Sequence, residues 1–108
     1  MKDKRTGFTR AGRNIFAAIG VDHADEYLLK ADIAVIIGRL IRSHGLTQTA
    51  AAVRLGLAQP DVSRILRGQL SGYSLERLLA VVRALGHDIE IRVKPAKSKA
   101  PGRIRMSA

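Results

Sequence analysis

Gln59, Ser63, Arg64 and Arg67 stand close together in the segment QPDVSRILRG, and Gln48 precedes them. Carboxamide and guanidinium groups hold donors and acceptors in fixed planes, which suits recognition by hydrogen bonding rather than bond breaking. In the DNA major groove, Arg matches the N7 and O6 of guanine, and Gln matches the N6 and N7 of adenine. At about 100° per residue, a helix opening at Gln59-Pro60 turns Val62, Ile65 and Leu66 one way. Pro60, Arg64 and Arg67 then point nearly opposite, with Ser63 flanking and Gln59 at the helix start. Gln59 and Arg64 are the candidate base readers, and Ser63 a further one. Arg67 and Gln48 are candidate phosphate contacts, together with backbone N–H groups at the start of the preceding helix. Asp61 faces a polyanion poorly and is read as stabilising the helix N-terminus through the dipole. A solvated helix face could carry the same residue types, so the reading depends on the elements around it.

Those elements are distinctive. Leu46 to Gly68, LTQTAAAVRLGLAQPDVSRILRG, predicts two short helices joined by a tight turn. Thr47 is placed to cap the first, which carries Gln48 and the small residues Ala50, Ala51 and Ala52. Gly56 follows its last turn, where a left-handed residue costs least. Pro60 fits the first turn of the second helix, whose N–H groups have no intrahelical acceptor. This is the spacing of a helix-turn-helix, which lays its second helix in the major groove.

The flanking segments supply a core. A helix is predicted from Asp22 or His23 to near Gly45, acidic in its first turns and basic (Arg39, Arg42, His44) in its last. Leu29, Ile33, Ile36, Ile37, Leu40 and Ile41 form a broad stripe, and Leu28, Ala31 and Val35 extend it toward a second face, suggesting burial on more than one side. Ser74 opens another helix, whose Leu75, Leu78, Leu79, Val82 and Leu85 repeat every three or four residues before Gly86. Upstream, Asn14–Gly20 reads as a short apolar element docking Ile15, Phe16 and Ile19. His87 to Lys94, HDIEIRVK, then alternates Ile89, Ile91 and Val93 with polar residues, the pattern of a half-buried β-strand. One strand in a helical domain needs a partner for its backbone groups. A second copy of the chain, the sheet edge of another protein, or a short N-terminal segment of the same chain would each provide one.

The chain of 108 residues is read as one domain over 14–94, between basic, flexible arms at 1–13 and 95–108. Its net charge of +10 is unevenly spread. Residues 1–13 carry five basic and one acidic side chain, residues 92–108 six basic and none acidic, and residues 14–91 eight of each. Within the middle, the span Arg39–Arg83 sets seven Arg against Asp61 and Glu76, so a polyanion is attracted there as well as to the tails. The tails either add sequence-independent phosphate attraction or serve solubility.

No other constellation carries chemistry. His23, His44 and His87 sit at segment ends without metal-ligand spacing and read as capping or surface groups. There is no Gly-x-Ser-x-Gly, phosphate-binding glycine loop or His-Glu-x-x-His. The absence of cysteine rules out disulfides and cysteine zinc sites. No enzyme activity, metal or cofactor is therefore expected. No apolar run is long enough for a membrane span, none reads as a signal peptide, and the expected compartment is a bacterial-type cytoplasm.

LTQTAAAVRLGLAQPDVSRILRG followed by SLERLLAVVRALG resembles the Xre/Cro family of helix-turn-helix regulators. It is closest to a subgroup with the pattern L-T-Q-x-x-A-A…L-G-x-x-Q-P-x-V-S-x-L-x-x-G, and LLKADIAVIIGRLIRSHG and LGHDIEIRV look similar to it too. The resemblance covers about Asn14 to Val93. It implies a mainly α, lambda-repressor-like domain of four to five helices, with one C-terminal β-strand pairing across a homodimer. Members are often antitoxins of the HigA type. This implies a repressor of its own operon, bound to an inverted-repeat operator in double-stranded DNA, that neutralises a small, basic, RNA-cleaving toxin. By position, Gln48, Gln59, Pro60, Ser63, Arg64 and Arg67 fall on the family's DNA-contact face. The chain departs from the pattern at Ala58, where Ser or Thr is the usual cap, and in its long basic tail. A free-standing regulator and a protein-interaction module are the alternative functions.

Overall fold

Helix α1 (His23–Ser43) begins with Asp25 and Glu26 in its first turn and ends with Arg42 in its last, each on the favourable side of the helix dipole. It buries Leu29, Ile33, Ala34, Ile37 and Ile41, one stripe at three- and four-residue steps. The computed structural model describes residues 23–97 and 102–107, and within them the order is all-helical. After α1 come α2 (Gln48–Leu55), α3 (Gln59–Leu66) and α4 (Leu75–Ala84). Helix α2 packs on α3 and α1 on α4, while α3 also meets α1 and α2 meets α4.

Local chemistry sets the boundaries. Thr47 accepts from the Ala50 N–H at 3.1 Å and Ser74 from the Arg77 N–H at 3.1 Å, satisfying donors the helices leave free. At the end of α2, Gly56 takes a left-handed backbone with φ 68°. Its N–H and that of Leu57 return to the carbonyls of Val53 and Ala52, closing the helix and reversing the chain into α3. Helix α3 starts at Ala58 with no side-chain cap, as its sequence leads one to expect, and relies on Pro60 in its first turn.

Ala51 and Ala52 are buried, so small side chains bring α2 close to Val62 and Ile65 of α3. From α4, Leu75, Leu78, Val81, Val82 and Leu85 close the core from below. The loop 67–74 adds Leu70 and Tyr73, both buried, which helical periodicity does not single out. Met106 of the basic tail lies partly buried against the same core.

Two expectations are not met within the described residues of the single chain. The strand expected over His87–Lys94 is not formed in the single chain: residues 87–96 have no regular secondary structure, and there is no strand among the described residues. Ile91 and Val93 stand 85% and 92% exposed, with only Ile89 partly buried against the core. A strand exists through its ladder of hydrogen bonds to a neighbour, and no described segment pairs with this one. Of the second face expected on α1, Ala31 is partly buried against the core, but Leu28 and Val35 are more than half exposed. The apolar element at Asn14–Gly20, the arm 1–13 and the N-terminal pairing segment considered for the strand lie outside the described residues.

Candidate nucleic-acid interface

Helix α3 is strongly two-sided. Val62 and Ile65 are buried under it and Leu66 is half-buried, whereas Gln59, Pro60, Arg64 and Arg67 are exposed and Ser63 is intermediate. Gln48, at the first position of α2, is exposed beside the start of α3. The fold thus gathers five of the six candidate residues on the two helices of one helix-turn-helix and places the sixth, Arg67, at the C-cap of α3.

Gln59 Nε2 donates to Gln48 Oε1 at 2.9 Å. This bond uses one amide hydrogen of Gln59 and leaves its carbonyl oxygen and second N–H available. One acceptor and one donor in a plane are what a bidentate contact with adenine requires. The bond also ties the two helices together at their N-termini. Gln48, expected as a phosphate contact, is placed to orient the Gln59 carboxamide.

Arg64 sits in a second network. Its Nη2 donates to Asp61 Oδ1 at 2.8 Å, an ion pair one helical turn apart. Asp61 Oδ1 also accepts from the Tyr73 hydroxyl at 2.6 Å. The Arg64 Nε–H points back at that hydroxyl oxygen at 3.5 Å, and the Arg77 guanidinium lies 5.1 Å from the centre of the Tyr73 ring. The Tyr73 bond, followed by the Arg64 bond, holds the Asp61 carboxyl below the ordinary carboxylate value, while the bonds Arg64 itself makes, to Tyr73 first and then to Asp61, raise its own value. Arg67 is more loosely held, its Nη2 reaching Gln69 Oε1 at 3.4 Å. Arg64 is thus held by two partners and Arg67 by one longer contact.

Sequence reasoning assigned Asp61 to the helix dipole and gave Tyr73 no role. The three-residue spacing of Asp61 and Arg64 signals their pairing. Nothing local signals Tyr73, which arrives from the loop before α4.

The histidines lie elsewhere. His44 Nε2 and His87 Nδ1 both reach the Leu85 carbonyl, at 3.1 and 3.0 Å. A carbonyl only accepts, so both ring nitrogens carry hydrogen and the two rings cap the end of α4. Among the described residues no three metal-ligating side chains converge. No described helix is long and apolar enough to cross a membrane.

Comparison with known proteins agrees with this geometry. A family model described as a helix-turn-helix domain matches residues 15–94. A solved structure described as an "XRE Family Transcriptional Regulator" aligns with a TM-score of 0.74 and 39% sequence identity, covering 81% of this chain and 99% of that one. No curated protein matches the chain.

Proposed function

This chain belongs to the helix-turn-helix family and, within it, to the XRE-type regulators, and we propose from that premise that it is a sequence-specific, homodimeric repressor. Such regulators act by binding DNA, not by catalysis. The observation that carries the reading is the exposed face of α3, where Gln59 and Arg64 are each held by a neighbour with recognition donors left over. Ser63 and Pro60 flank the base edge, and Arg67 neutralises phosphate. Two copies of α3 spaced about one DNA turn (~34 Å) apart would read an inverted repeat. The exposed, alternating segment 87–94 supports a shared strand ribbon between copies, since Ile91 and Val93 are exposed and no other described segment pairs with its backbone.

The test is an anisotropy titration against the DNA upstream of the chain's own gene and against random duplex, over a range of salt. Specific affinity should exceed random affinity throughout; equal affinities would end the repressor reading. Arg64→Ala should lose about 1–3 kcal/mol on the specific site and relax its specificity.

An antitoxin role is the finer reading. The early part of α1 exposes Tyr27, Leu28 and Asp32, a mixed apolar and acidic surface suited to a small basic protein. Co-expression with the adjacent gene, co-purification and growth rescue test this. If the neighbouring frame yields no binding partner, the protein acts as a free-standing regulator.

A further inference from the structure

We propose that Tyr73 and Asp61 are positioning residues that set the base preference of Arg64, by clamping the side edge of its guanidinium. The proposal rests on the reading of Arg64 as a base reader and adds the machinery that aims it.

The donor count carries the argument. A guanidinium has five N–H groups. The Nε–H faces the Tyr73 oxygen at 3.5 Å and one Nη2–H is bonded to Asp61 at 2.8 Å. Three hydrogens remain, two on Nη1 and the outer one on Nη2. The side-on pair is taken, so the fork is presented end-on, through Nη1 and Nη2. Two parallel donors at that end match guanine O6 and N7, and a clamped fork has fewer orientations to lose on binding.

Among the described residues the Tyr73 hydroxyl meets Asp61 and Arg64 alone. Its ring is buried and stacks under Arg77, which phenylalanine would do equally well. The hydroxyl donates its one hydrogen to Asp61 and accepts from Arg64, so each group meets its partner with the correct polarity. Because Tyr73 belongs to the core, the clamp anchors an exposed side chain to the packed interior. Asp61 adds a second effect. Its negative charge beside Arg64 opposes phosphate and favours a base edge as the ligand of that arginine. The lowered titration of Asp61 keeps that charge in place at neutral pH.

The probe is a pool of randomised duplex DNA, from which the full-length chain selects its preferred site. Single-base variants of that site are then titrated with wild type, Arg64→Ala, Tyr73→Phe, Asp61→Asn and the Tyr73→Phe/Arg64→Ala double variant. Arg64→Ala should abolish the preference for guanine at one base pair. Tyr73→Phe should reduce that same preference about fivefold, roughly the worth of one hydrogen bond, leaving random-duplex affinity near wild type. Asp61→Asn should reduce the preference while raising affinity for random duplex. In the Arg64→Ala background, Tyr73→Phe should have no further effect on any base pair. The clamp is refuted if Arg64→Ala removes a base preference that both Tyr73→Phe and Asp61→Asn retain. It is refuted also if Tyr73→Phe weakens every base pair alike, or acts equally without Arg64. If Arg64→Ala changes no base preference, Arg64 is not a reader and both proposals fall.

Discussion

Gly38→Ala and Gly56→Ala should move stability in opposite directions, although both add one methyl group. Gly56 makes the turn between α2 and α3 with φ 68°, and a Cβ built there meets nothing within 4 Å. The penalty is therefore purely conformational. Placing an L-residue in the left-handed region costs about 1–2 kcal/mol, and the stiffer unfolded chain returns about 0.4–1 kcal/mol. The net is a loss of about 0–1.6 kcal/mol, with a mid-range value of about 0.8 kcal/mol. Gly38 lies inside α1, where a Cβ would meet Leu66 Cδ2 at 3.5 Å and Arg42 Nη1 at 3.6 Å, ordinary contact distances. Alanine there should gain about 0.5–1 kcal/mol, the helix-interior difference between the two residues. Urea unfolding followed by circular dichroism reads both as midpoint shifts at unchanged slope. Gly56→Asn should recover part of the loss, because asparagine tolerates that backbone better. The reasoning fails if Gly56→Ala and Gly56→Asn are equally destabilised, which would place the penalty in contacts and not in φ. It fails likewise if Gly38→Ala is destabilised, which would mean that α1 and α3 leave no room for a methyl group.

Three further outcomes follow from named geometry. Arg67→Ala should weaken specific and random DNA alike and reduce the slope of log affinity against log salt by about 0.9, one phosphate contact; a base-specific loss would make it a reader. Ala58→Ser should stabilise the protein by about 0.5–2 kcal/mol by supplying the cap α3 lacks, read as a raised urea midpoint. Asp61 titrates lower in the folded state than in the unfolded one, so its contribution is fully present above the unfolded value. It is lost as pH falls through the folded one. Asp61→Asn should therefore remove part of the acid-side decline in stability; an unchanged decline below pH ~4 would deny the Tyr73 and Arg64 bonds.

The helix-turn-helix was legible because its information is local. Thr47, Gly56, Pro60 and Ser74 act within a turn of where they stand, and the structure uses each as its type predicts. The candidate face was legible for the same reason: once α3 is a helix, burial of Val62 and Ile65 turns Gln59 and Arg64 outward. What escaped was tertiary. The loop 67–74 has no period, so nothing announced that Tyr73 would be buried with its hydroxyl on Asp61.

The wide stripe on α1 and the alternation of HDIEIRV show the same limit from the other side. A periodic pattern fixes which atoms share a face; it does not supply the surface that covers them. On α1 that difference leaves Leu28 and Val35 open while Ile33 and Ile37 are each 1% exposed. In 87–94 it separates Ile89, which finds the core of its own chain, from Ile91 and Val93, which do not. A second strand would jointly satisfy exposed apolar side chains and a backbone that pairs with no other described segment. The segment follows directly from the end of α4, where His44 and His87 fix the Leu85 carbonyl. A strand pairing from that anchored point would hold two copies of the domain at a defined separation. Under the proposed repressor reading, two recognition helices on an inverted repeat need that spacing, so a second copy of this chain would meet the needs of both the strand pattern and the recognition helix.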